Sequence, residues 1–155
     1  MHRPNRIAVI GSGVGGPETV EKAERLGELL AERNYEVFCG GLSGVMDAVC
    51  RGARSRGGRT IAAIPGHSRH EANVHVEISI ATGLGQMRNF IVVLNGDVVV
   101  AVDGGAGTLS EIGHALKMGK KVVALGIWSD LPGVIPVNTP EEALAEVEKI
   151  METNK

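Results

Sequence analysis

Residues 6–10 (RIAVI) form a short apolar, β-branched run that stops at a glycine group, the pattern of a parallel strand buried on both faces. Pro17 then suits the first turn of a helix, where its missing N–H costs nothing. From 18 to 33 the apolar residues Val20, Ala23, Leu26, Leu29 and Leu30 recur at three-to-four spacing, which predicts an amphipathic helix. Asn34 ends it, and 35–39 reads as a second strand. Between 44 and 55, Val45, Met46, Val49 and Ala53 again fall on one helical face. Gly57 and Gly58 stop that helix before a strand over 60–64, which Pro65 and Gly66 close.

The second half continues the alternation. Residues 67–73 are polar and turn-like, and over 74–80 Val74, Val76, Ile78 and Ile80 share one side, predicting a short edge strand. Periodicity alone leaves 84–94 open between helix and strand. Because 97–102 (DVVVAV) is a strand only a short turn later, the earlier run is read as a buried helix. A helix over 108–118, a strand over 121–125 and a strand over 134–137 follow. Thr139 is placed to cap a last helix, with Pro140 at its first position and Glu142 at capping-box spacing. Strands alternating with helices and joined by short glycine-rich turns predict an α/β, Rossmann-like, doubly wound and mainly parallel sheet with helices on both faces. With 155 residues and no internal repeat or linker, a single domain is expected.

Composition narrows the function. Hydrophobic residues at 43% and charged residues at 22% exclude a disordered or fibrous chain. Sixteen basic residues against 18 acidic ones give no pull toward nucleic acid or anionic lipid, so a small solute is the expected partner. Cys39 and Cys50 fit neither a disulfide framework nor a zinc pattern, and neither a leader nor a membrane-length apolar run is seen; a cytoplasmic protein is expected. His67, His70 and His75 beside Glu71 match no metal spacing, and the Glu111–His114 pair lacks a second such motif, so no metal and no cofactor is assigned. Arg51, Arg54, Arg56 and Arg59 read as a solvated helix end.

The glycines carry the candidate chemistry. There are 22 of them, about twice the usual share of roughly 7%, and three groups directly follow strands: 11–16, 40–44 and 104–107. Glycine there admits positive φ and lets a backbone N–H approach a phosphate, while the following helix presents its positive end. In an open parallel sheet such loops meet beyond the carboxyl ends of the strands. A small phosphorylated ligand is therefore expected, held among Gly11, Ser12, Gly13, Gly40, Gly41, Gly44, Asp103, Gly104, Gly105, Gly107 and Thr108. Gly11, Gly13 and Gly16 approximate a dinucleotide fingerprint, but Cys39 and Gly40 stand where its ribose-binding acid belongs, which argues against NAD. Asp103 has two readings, a water-positioning carboxylate or a cap on neighbouring amides.

The segment VDGGAGTLSE (102–111) closely resembles the PGGxGTxxE motif of the Lonely Guy (LOG) family, formerly labelled lysine decarboxylases. FCGGLSGVMDAVCRGARSRGGRTIAAIPG (38–66) resembles that family's YGGGxxGLMGxVAxAAxxxGGxVIGVIP block. The resemblance implies a Rossmann-like fold, homo-oligomers, and cleavage of the N-glycosidic bond of nucleoside 5′-monophosphates to free base and ribose 5-phosphate. It makes Arg88 of QMRN and Glu111 of LSE the catalytic pair, with Gly104, Gly105, Gly107 and Thr108 as phosphate cradle. Asp103 in place of the motif's proline, Asn89 in place of lysine, and the different first loop bring the chain nearer to compact LOG-like proteins, including molybdenum-cofactor carriers that bind a phosphorylated pterin without hydrolysing it. The sequence thus leaves a phosphoribohydrolase as first reading and a nucleotide or pterin carrier as the alternative. No lysine lies near the glycine loops, so decarboxylase chemistry is rejected.

Overall fold

A computed structural model describes residues 3–154. Its strands are β1 (Arg6–Gly11), β2 (Glu36–Cys39), β3 (Thr60–Ile64), β4 (Ile78–Ala81), β5 (Val98–Val102), β6 (Val122–Leu125) and β7 (Ile135–Val137). All pair in parallel in the order β4-β3-β2-β1-β5-β6-β7. From β1 the chain steps outward through β2 and β3 to β4, then returns to place β5 on the other side of β1. This is a doubly wound sheet whose direction reverses between β1 and β5.

Helices α1 (Pro17–Glu32), α2 (Val45–Ser55) and α5 (Pro140–Thr153) share one core with Ile7 and Val9 of β1. Helices α3 (Arg88–Leu94) and α4 (Ala106–Lys117) share the opposite core with Ala8 and Ile10. Burial on both faces is why the central strands read as continuous apolar runs rather than as alternation. Among the described residues no helix is long and apolar enough to cross a membrane.

Helices α1 and α2 meet backbone to backbone. A Cβ on Gly27 would lie 2.8 Å from the Ala53 nitrogen and run into the Val49 carbonyl, and one on Gly52 would run into the Glu24 carbonyl. The arginines read from sequence as a solvated helix end are paired across this seam and beside it. Arg51 meets Glu24 (3.2 Å) and Asp47 (2.9 Å), Arg56 meets Glu32 (3.4 Å), Arg59 meets Glu77 (3.4 Å), and Arg54 also meets Glu77. Each pair is partly exposed and contributes little to stability, but together they cancel the basic patch.

Two elements differ from the sequence reading. The edge strand covers Ile78–Ala81 instead of 74–80, because its register against β3 starts at the Ile61–Ile78 pair; Val74 lies in a turn, 90% exposed. The helix expected over 84–94 splits into a 3-10 turn (Gly85–Met87) and the seven-residue α3, whose Phe90 and Leu94 remain exposed. Thr139 caps α5 as expected, accepting from the Glu142 N–H at 3.1 Å, while the Glu142 carboxylate accepts from the Asn138 N–H at 2.7 Å.

Replacing Gly52 by valine should force α1 and α2 apart and lower unfolding stability by about 3 kcal/mol, read by urea denaturation.

Candidate functional site

At the reversal point the ends of β1 and β5 feed helices on opposite sheet faces, α1 and α4, and a crevice opens between them. The cleft there has a volume of about 210 Å³. Three walls close on it: the β1 end, the loop after β2, and the start of α4 with the start of α3.

Gly11 must be glycine, since a Cβ would run into the Val102 carbonyl and lie 2.9 Å from Val45. The loop after β2 is tied to the loop after β1: the Val45 N–H donates to the Ser12 carbonyl (2.8 Å) and the Ser43 hydroxyl to the Gly13 carbonyl (2.7 Å). Gly44, at φ 66°, leaves no room for a side chain against the Ser12 carbonyl. Asn73 anchors the same loop from outside, donating its backbone N–H to Gly41 O and its amide to Leu42 O, both at 2.8 Å.

Of the residues singled out in the sequence, Gly11, Gly13, Gly40, Gly105, Gly107, Thr108, Arg88 and Glu111 line the cleft. Ser12, Gly41, Gly44 and Gly104 shape its loops without lining it. Asp103 turns away. Held at φ 51°, it accepts from the Thr19 hydroxyl (2.6 Å) on one carboxylate oxygen and from the Ile127 N–H (3.0 Å) on the other, so it acts as a tie between loops. Val9, Ile10, Leu42, Met46 and Gln86 also line the cleft; none is a candidate from sequence, although Leu42, Met46 and Gln86 fall within the stretches that carry the family resemblance. Asn89, noticed only as a departure from a family pattern, lines it too.

Helix α4 begins at Gly105 with no side-chain cap, leaving first-turn N–H groups for a ligand, whereas α5 carries a full cap. Arg88 is 6% exposed, and its Nε has no hydrogen-bond partner. Its Nη1 donates to the Asn89 side-chain oxygen and its Nη2 to the Gly40 carbonyl at 3.4 Å. A Cβ on Gly40 would press on Arg88 Nη2 at 2.8 Å and on Met46 Sδ at 2.9 Å, so this glycine keeps the guanidinium's place open. Beneath the same loop the free thiols of Cys39 and Cys50 lie 3.5 Å apart.

Glu111 is 7% exposed and enters the cleft from the second turn of α4. Burial raises its carboxyl to about 8, and the Arg88 charge offsets this only in part. The folded protein therefore holds a proton that the unfolded chain releases in the ordinary carboxylic range. Stability from this group is complete at acid pH and is lost as pH rises through about 8. In a melting series from pH 5 to 9, the wild type should lose stability progressively and Glu111→Gln should show a flatter profile.

The chain matches the SLOG cluster4 family model over residues 4–154. An uncharacterised protein of Archaeoglobus fulgidus is 43% identical over 139 residues, covering 90% of this chain and 91% of that protein. Among solved structures, the molybdenum cofactor binding protein from the phototrophic bacterium Rippkaea orientalis superposes with a TM-score of 0.92 at 34% identity, covering 97% of this chain and 99% of that one. The molybdenum cofactor carrier protein of Chlamydomonas reinhardtii gives 0.89 at 35% identity, with the same coverage. The chain belongs to the SLOG cluster4 family.

Proposed function

We propose that this protein binds a phosphorylated pterin of the molybdenum-cofactor type in the cleft between β1 and β5 and holds it without cleaving it. The observation that carries this reading is the buried Arg88 guanidinium, unneutralised and with Nε free, beside the uncapped start of α4. A phosphate takes the backbone N–H groups at Gly105–Thr108 together with the positive end of the helix, and Arg88 adds charge-assisted hydrogen bonds. Leu42 and Met46, both partly exposed, offer apolar contact for a flat ring, and the Gln86 amide offers a polar one. Among the described residues no three His, Cys, Asp or Glu side chains are grouped for a metal ion, so the grip in this reading is on phosphate and ring. The full-length likeness to cofactor carriers supports the ligand class.

Hydrolysis of nucleoside monophosphates, implied by the LOG resemblance, asks Glu111 to act as a carboxylate against a developing oxocarbenium ion. Burial keeps a proton on it up to about pH 8, which favours holding over cutting at neutral pH. Two measurements test the proposal. Purified protein should bind molybdenum cofactor saturably, with Arg88→Ala weakening affinity about tenfold or more. Incubation with AMP or GMP at pH 7 should release no free base by chromatography; release that Glu111→Gln abolishes would establish the hydrolase instead.

A further inference from the structure

Arg88 and Glu111 face one cleft from α3 and α4, yet neither an ion pair nor a hydrogen bond joins them. The guanidinium is oriented by two neutral acceptors, the Asn89 amide oxygen and the Gly40 carbonyl. A neutral acceptor fixes a guanidinium's direction without cancelling its charge, whereas a carboxylate in the same place would do both. Asn89 is buried at 5% exposure and lies next to Arg88 in the first turn of α3, so the partnership is built into a rigid element.

The other charged or titratable groups around Arg88 are few. Glu111 approaches from α4 and Cys39 from the end of β2, while β1 contributes only Val9, Ile10 and Gly11 to the cleft. Burial raises the Glu111 carboxyl, which leaves the guanidinium as the strongest charge facing the cleft, with Glu111 and Cys39 as its titratable neighbours.

We propose that Asn89 is a positioning residue that sets ligand specificity: by orienting Arg88 through a neutral amide it keeps an uncompensated cation facing the cleft, and this cation selects a phosphate dianion over an uncharged ligand with the same ring. The inference rests on reading the cleft as a site for a phosphorylated ligand.

Asn89→Asp tests it, because the side chain keeps its shape while it gains a charge and exchanges the amide donors for a second acceptor oxygen. Because Asn89 itself lines the cleft, an aspartate there also acts on the ligand directly, so Asn89→Ala, which removes the orienting acceptor and adds no charge, is read beside it. Calorimetric titrations with GMP, and with guanosine as the uncharged control, are run at pH 7 alongside thermal melts. The wild type should prefer GMP. Asn89→Asp should keep its melting temperature and its guanosine affinity while GMP binding weakens about tenfold or more. Asn89→Ala, which frees the guanidinium but adds no charge, should lose less, and it provides the comparison if the aspartate variant does not fold. Unchanged GMP affinity in the folded aspartate variant, or in the alanine variant should the aspartate one not fold, overturns the role of Asn89 alone. A wild type that binds none of molybdenum cofactor, GMP and inorganic pyrophosphate overturns the phosphorylated-ligand reading and this inference with it.

Discussion

The pairing of β1 with β5 is carried to the last residue of both strands, Gly11 against Val102, and this close approach fixes everything that lines the cleft. A side chain at Gly11 would strike the Val102 carbonyl and Val45 together, so the strand ends and the first turn of α2 can converge only on glycine. With them in place, α1 leaves on one face and α4 on the other. The start of α4 then sits at the strand ends with its first N–H groups free. The loop after β2 rests on this frame through Ser12 and Gly13, and it holds Gly40 against Arg88. The parallel sheet alone would give a crevice; the glycines make it narrow enough for backbone groups to reach a ligand.

Electrostatics in the cleft follow from burial more than from partnership. Arg88 cannot shed its proton in a protein and makes no ion pair, while burial raises the Glu111 carboxyl to about 8. Pairing the two would have made a neutral, self-satisfied site. Keeping them apart leaves a cation whose neutralisation is deferred until an anion arrives from solution.

Much of this was legible in the chain. Strands β1, β2, β3, β5 and β6 show as apolar runs because both their faces are covered, and the glycine groups after them mark the ligand edge. Edge strand β4 was misplaced because alternation reports a face and says nothing of register: Val74 and Val76 fit the alternation but reach no partner on β3. Leu42 carries no signal of its own, since a cleft-lining residue in a loop looks like any other, whereas Met46 and Gln86 fall within the stretches that carry the resemblance and are not singled out there. For Asp103 the sequence leaves two readings, a site carboxylate or a cap on neighbouring amides, and the left-handed backbone favours the second by pointing the carboxylate at the Thr19 hydroxyl and the Ile127 N–H.

Asp103 also bears on how the protein ages. An Asp-Gly step such as Asp103–Gly104 is chemically fragile in a free chain, because glycine puts nothing in the path of its own amide nitrogen as it attacks the carboxyl carbon of the aspartate side chain and expels water to close a succinimide. In the fold both carboxylate oxygens are occupied and the backbone is held by the Leu125 carbonyl, so the ring cannot close without first breaking the ties between loops. The contacts that hold the cleft's frame together thus also shield a labile covalent link within it, and isomerisation at this step would record how often the loops come apart.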